Sequence, residues 1–518
     1  MNKAWLVVAL VAASGCKDND DKSGAVLVET DQPADTDVPD LTDDDGDGFF
    51  AEVDDCDDGD ATVYPEAPEL CDEIDNDCDG LSDADQDEDG DGLRDCADAC
   101  PVWVDVLGND SADGTVTEPV LSVQRGVDIS ATTSCGVVRV RAGVYPGEVD
   151  LGVADVDLAG VGSPAPHLVG SGVRPVITII GGQSDATVLE NLEISGGGGV
   201  RGAGLYIDGS DPVLLDLWIH DNATTLDVTD VVPVLPDDPL QGGGVFLKDS
   251  NAQVLDCLIM SNEAGHEGPE EGSDGGGIFV RGGEPRIDGN MILDNLTGDG
   301  GGIWLARSGA VVVRNLIAGN RAEDLDPIEG GQGGGINVQI GDDDLLVAGN
   351  IIAGNVASTH GGGVCVYEEP KEGAVSAVVH NTIAYNLVAD VITGETVPAG
   401  GGVAVWGTTT PMVLNNLFVQ NVPNGLWEGT GADAAANGFD EVFDVVGPAA
   451  SPDDEWSLDV NFTAVNASDG DWTTDDFTTG NEVLDLGDPR FLDADGSLGD
   501  LGAYGGPCAY DSLGACAL

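Results

Sequence analysis

The chain has 518 residues, 77 of them Gly, with 96 Asp+Glu against 17 Lys+Arg and a formal net charge of −79. That balance argues against nucleic acid as a partner, because counterion release needs clustered cations. It also disfavours polyanionic glycans unless metal ions bridge carboxylate to carboxylate. A hydrophobic content of 41% is enough for a core, so wholesale disorder is excluded.

The chain opens MNKAWLVVALVAASGC. Lys3 is a minimal basic region, Trp5 to Ala13 an apolar stretch, and Ala13-Ser14-Gly15 a small-residue cleavage site, so residues 1–15 read as a signal peptide. Cleavage directly before Cys16 resembles a bacterial lipoprotein signal. The resemblance implies lipidation of Cys16 and a membrane anchor, with Ala13 standing where that signal more often has Leu. Lys17, in place of Asp, points to the outer membrane or cell surface of a Gram-negative bacterium. Residues 16–42 are acidic and polar and read as a disordered tether. Ten cysteines remain beside Cys16, an even number that suggests disulfides in an exported chain. Pairing is expected within the acidic region and for Cys508 with Cys516, whereas Cys257 and Cys365 sit in strand-like runs and fit buried thiols.

Residues 43–101 form an Asp/Gly/Cys-rich module with three loops of alternating carboxylates around a Gly bend. The first carries Asp43, Asp45, Asp47 and Asp54, the second Asp75, Asp77, Asp79 and Asp83, and the third Asp87, Asp89, Asp91, Asp95 and Asp98. This pattern wraps oxygens around a hard cation, which predicts structural Ca²⁺. Asp in place of Glu at the twelfth position, and no flanking helical pattern, set these loops apart from EF-hands. Residues 87–101 resemble a thrombospondin type 3 calcium repeat. Residues 54–80 resemble a metal-binding repeat of bacterial surface proteins, a family linked to copper in some members. Residues 43–101 contain no His or Met, so an all-oxygen Ca²⁺ site suits them better than copper.

A repeat dominates the rest. Seven segments end in Asn, at Asn222, Asn262, Asn295, Asn320, Asn355, Asn386 and Asn421, each three residues after an apolar position: Ile219, Ile259, Ile292, Ile317, Ile352, Ile383 and Phe418. Six copies carry GGG before an apolar-x-apolar strand, and the first carries GAGLYI at 202–207. One such unit cannot bury its apolar face alone, but units stacked at ~4.8 Å form parallel sheets around a continuous core. The Ile/Phe column is then an internal stack, and the Asn column a structural ladder at a bend, where Asn tolerates the left-handed conformation. Asn290, Asn315, Asn350, Asn381 and Asn416 suggest a second, shorter ladder. Trp218, Trp304 and Trp406 would serve as sugar platforms if exposed, but at strand positions they are expected in the core.

This pattern resembles the right-handed parallel β-helix of the pectin-lyase-like class, which implies an all-β solenoid over 113–507 with a tail at 508–518. The lead-in resembles that fold's entry, with a capping helix near 119–129. The fold hosts many activities. The Arg-x-Pro-x-x-Arg context of pectate lyases does not occur, and the nearest pieces to a polygalacturonase site, THG at 359–361 and RID at 286–288, stand in the wrong context. GGGGVRGAG at 196–204 lacks the βαβ setting of a dinucleotide loop. The long insertions, 223–241, 263–274, 321–332 and 387–399, all fall between the Asn bend and the next glycines, on one edge. Their polar residues His266, Glu270, Asp274, Glu323 and Asp326, with His360, mark a possible ligand edge. The expected function is a monomeric, lipid-anchored surface protein whose Ca²⁺-stiffened stalk presents a β-helix for binding a polysaccharide or another surface. The alternative is a carbohydrate-active lyase or hydrolase using carboxylates on that edge.

Overall fold

The computed structural model describes Cys56, Val63 and residues 100–133, 135–225, 240–265, 273–323, 331–339, 344–367, 376–389, 400–406 and 411–428, with short pieces up to Trp456. The loops of residues 43–98, Cys16, His266, Glu270, Asp326 and the Cys508–Cys516 pair lie outside the described residues. The chain divides into two compact units, one of residues 1–68 and 76–79, the other of residues 69–75 and 80–518. In the first, Val63 is buried and Cys56 is disulfide-bonded.

The second unit is a coil of parallel strands. Sheet A has 12 strands, from Val102–Val104 to Asp433–Ala435; sheet B has 12, from Val144–Pro146 to Glu455–Trp456; sheet C has 11, from Val149–Asp150 to Val445–Val446. A short sheet D has five strands, from Glu263–Ala264 to Leu387–Val388. One turn of the coil shows the path: Val245–Lys248 lies in sheet C, Gln253–Leu255 in A, Leu258–Met260 in B and Glu263–Ala264 in D. Each strand is short because a bend follows within three to five residues, and each pairs with its counterpart one turn on. Every named strand pairing among the described residues is parallel.

The expected internal stack is present. Ile219, Ile259, Ile292, Ile317, Ile352, Ile383 and Phe418 are in register on successive turns and fully buried. Cys257 is a buried thiol outside any disulfide, and burial pushes its pKa up to about 12; Cys365 is a buried cysteine in a strand of sheet C.

Both Asn ladders form. Asn320 Oδ1 accepts from Asn295 N and Nδ2, while Asn320 Nδ2 donates to Asn355 Oδ1 at 3.0 Å and to Ile292 O at 2.8 Å. Each amide therefore satisfies buried polar groups on the turns above and below. The second ladder runs from Asn290 to Asn416 and gains one further member, Asn437. The backbone reason differs from the expected one. The ladder asparagines are not left-handed; the residue before each is, from Asp221 (φ 50°) through Gly319 (φ 68°) to Gln420 (φ 50°). The Asn is held at each turn by its side-chain bonds, and its neighbour absorbs the bend.

The glycine triplet has two separate causes. Gly300 has φ +66°, which favours Gly. Gly301 and Gly302 have no such constraint, but a Cβ on them would lie 2.4 Å from Gly334 O and 2.6 Å from Gly335 O on the next turn. A side chain at either position would collide with the backbone of the next turn.

The capping helix spans Val123–Thr133, a few residues later than expected. It buries Val123, Val127 and Ile129, and Cys100 is joined to Cys135 just beyond its end. That bond ties the first strand of sheet A to the cap, so Cys100 pairs out of the acidic region. Two further expectations are corrected. The insertions at 263, 321 and 387 each begin with a two-residue strand of sheet D, which continues the coil. The eight residues between Tyr367 and Ser376 make a further long connection, between sheets C and A, so the long connections are not confined to one edge.

Candidate functional site

Outward-facing positions change character along sheet B. Towards its end Leu293, Leu316, Ile351 and Leu417 face outward yet are buried in an apolar cluster. Near its start the same face is polar and open. There three successive turns contribute His167-Leu168-Val169, Glu193-Ile194-Ser195 and Trp218-Ile219-His220, in register. The central residues Leu168, Ile194 and Ile219 point into the core, so the flanking ones point out.

These outward side chains converge. Glu193 Oε1 lies 3.4 Å from His167 Nδ1 and 3.1 Å from His220 Nε2. One ligand atom from each of the three lies within 4.8 Å of the other two. The opposite nitrogens are also engaged: His167 Nε2 is 2.7 Å from Ser195 Oγ, and His220 Nδ1 is 2.8 Å from Asp221 Oδ2. Trp218 stacks on His220 with ring centroids 4.3 Å apart, and remains 40% exposed. Burial pushes the His167 pKa down; Glu193 opposes this and His220 reinforces it.

Trp218 departs from the expected core position. Trp304 does lie buried, at 7% exposure, but on the outward side of sheet C, in a row with Tyr206, Phe246 and Phe279. The side chain of Trp406 lies outside the described ones.

The expected ligand edge is resolved in part. Asp274 and His360 belong to one column at the corner between sheets D and C, with Gln241, Asp299 and Gln332. Gln241 Nε2 donates to Asp274 Oδ2 at 2.9 Å, and Gln332 N donates to Asp299 Oδ1 at 2.7 Å. Burial, then the neighbouring Asp299, pushes the Asp274 pKa well up, against the Gln241 hydrogen bond. Burial pushes the His360 pKa down. Glu323 is paired with Arg321. The RID segment is tied as well: Arg286 Nη2 and Arg314 Nε each bond the Asp288 carboxylate at 2.7 Å.

A coil of parallel sheets with stacked asparagines at its bends defines a parallel β-helix. The family model for the right-handed β-helix region matches residues 179–438, 260 of the 518 residues, and the chain belongs to that family. A second family model, a metal-binding motif of the Cu-binding MopE type, matches residues 55–84. These residues include nine Asp, three Glu and three Cys, a set rich in hard oxygen donors. Among solved structures the chain is similar to pectate lyase Pel9A: 15% identical, covering 77% of this chain and 96% of that one, with a TM-score of 0.42. Curated proteins give no match.

The sequence reading missed His167, Glu193, Ser195, His220 and Asp221 as functional residues. The signal that could have found them is the turn length. Extending the register of Trp218-Ile219-His220 back by one and two turns of the coil lands on Glu193-Ile194-Ser195 and His167-Leu168-Val169.

Proposed function

We propose that the chain is a monomeric, lipid-anchored protein of a Gram-negative cell surface. In this reading Cys16 carries the lipid, the Asp-rich loops hold structural Ca²⁺, and the open face of sheet B binds a glycan without cleaving it. The observation that carries the glycan reading is Trp218, a tryptophan that points outward and is 40% exposed. An exposed aromatic face flanked by the polar groups of Glu193, Ser195 and Asp221 offers both an apolar platform and hydrogen-bonding groups.

The enzymatic alternative would use a carboxylate pair with separated pKa values. Asp274 and the neighbouring Asp299 are two carboxylates on the expected edge, but Asp274 is only 7% exposed and its Oδ2 is held by Gln241. A general acid must reach its substrate, which favours a structural role for Asp274. Two experiments test the proposal. A polysaccharide panel scored for retention and for cleavage, with the parent chain and Trp218→Ala, tests the binding face. Membrane fractionation of Cys16→Ala tests the anchor: release from membranes is expected, and unchanged fractionation contradicts it.

A further inference from the structure

We infer that His167, Glu193 and His220 form a site for a divalent transition-metal ion of the zinc type, separate from the Asp-rich loops. The inference does not depend on the glycan reading. It starts from the polar partners of the three side chains. His220 has a carboxylate oxygen at each nitrogen, Asp221 Oδ2 at 2.8 Å and Glu193 Oε1 at 3.1 Å. A neutral imidazole has one N–H and can satisfy only one of them. With Nδ1–H donated to Asp221, the Nε2 lone pair faces the lone pairs of Glu193. At His167, Nε2 pairs with Ser195 Oγ while Nδ1 faces the same Glu193 oxygen. Two imidazole nitrogens and one carboxylate oxygen thus converge within 4.8 Å of one another, an arrangement that a cation can hold.

The geometry suits such an ion. With bonds of ~2.0–2.1 Å, ligand atoms at the corners of a tetrahedron stand about 3.3 Å apart. The N···O separations of 3.4 and 3.1 Å bracket that value. Two imidazole nitrogens and one carboxylate oxygen are a donor set that zinc takes with its fourth position open. Ser195 and Asp221 stand where partners to the second nitrogen of a ligating histidine belong, fixing tautomer and ring orientation. Trp218, stacked on His220, holds the ring from one side. The three ligand side chains remain partly exposed, so an ion can enter from solvent.

The test is Zn²⁺ binding to the full chain in excess Ca²⁺, which fills the oxygen-rich loops. One Zn²⁺ per chain is expected. Asp221→Asn keeps all three ligands and should weaken binding roughly 10- to 100-fold. His220→Ala should weaken it further, while melting without Zn²⁺ as a folded chain. Should a variant fail to fold, the unaltered chain decides: Zn²⁺ should protect His167 and His220, of its five histidines, from carbethoxylation mapped by mass spectrometry. Absence of Zn²⁺ binding in excess Ca²⁺ would overturn the inference, as would unchanged affinity in His220→Ala or protection confined to His266, His360 or His380.

Discussion

Trp218 and His220, two residues apart on one short strand, project from the same face of sheet B and stack with centroids 4.3 Å apart and planes inclined by 28°. Alternation puts both outside while Ile219 between them is fully buried. The strand thus fastens itself to the core through one residue and presents an aromatic–imidazole pair through the other two. Any ligand that lies on Trp218 also lies beside Glu193 and His167. Substitution at Trp218 should therefore act on binding, with little effect on the coil.

The Asn ladder makes a contrasting prediction. Asn320→Ala leaves Asn295 N and Nδ2 without an acceptor and removes a donor from Ile292 O, all buried. The expected cost is on the order of 3 kcal/mol. Denaturant unfolding measures it, with the exposed Asp185→Ala as a control expected to change stability by about 0.5 kcal/mol or less. A neutral Asn320→Ala would contradict the ladder's structural role.

Asp274 makes a prediction about pH. Its pKa in the fold is raised well above the ordinary value of 3.8. The folded chain therefore holds a proton that the unfolded chain releases, and this contribution to stability is greatest below the ordinary value. It is lost as pH rises through the raised folded value. Asp274→Asn keeps the shape and removes the titration. The variant should match the parent near pH 4 and melt above it at neutral pH. Thermal melts of both chains across pH check this, and a constant difference at every pH would count against it.

Metal removal addresses the Asp-rich segment. If residues 43–101 are stiffened by Ca²⁺, EDTA should increase their susceptibility to protease and Ca²⁺ should restore resistance. Limited proteolysis with mass spectrometry reads both steps. Restoration by Cu²⁺ and not by Ca²⁺ would reverse the choice of metal.

How much was legible in the sequence follows from how each feature is encoded. The ladder asparagines, the isoleucine stack and the glycine triplets recur at fixed offsets within each turn, so Asn320 and Gly302 announce the coil by repetition. The site is encoded differently. His167, Glu193 and His220 lie on three turns that precede the GGG at 242–244, and only the coil's register makes them neighbours. Trp218 could not be placed by strand pattern alone, since Trp304 also alternates outward yet is buried in an aromatic row. Asp274 and His360 share a column because each stands just before its turn's close-packed glycines, and it was their position in the repeat that singled them out, not their charge among 96 acids.

The central claim, a β-helix that binds glycan on the open face of sheet B without cutting it, is tested most directly by one measurement on the full chain. Retention on a panel of immobilised polysaccharides is compared for the parent and Trp218→Ala, with polymer length assayed in the same samples. The account predicts that at least one polysaccharide retains the parent at unchanged length, and that Trp218→Ala weakens binding roughly 10- to 30-fold while melting like the parent. Equal retention of the two chains, or shortening of the polymer by the parent, would contradict it.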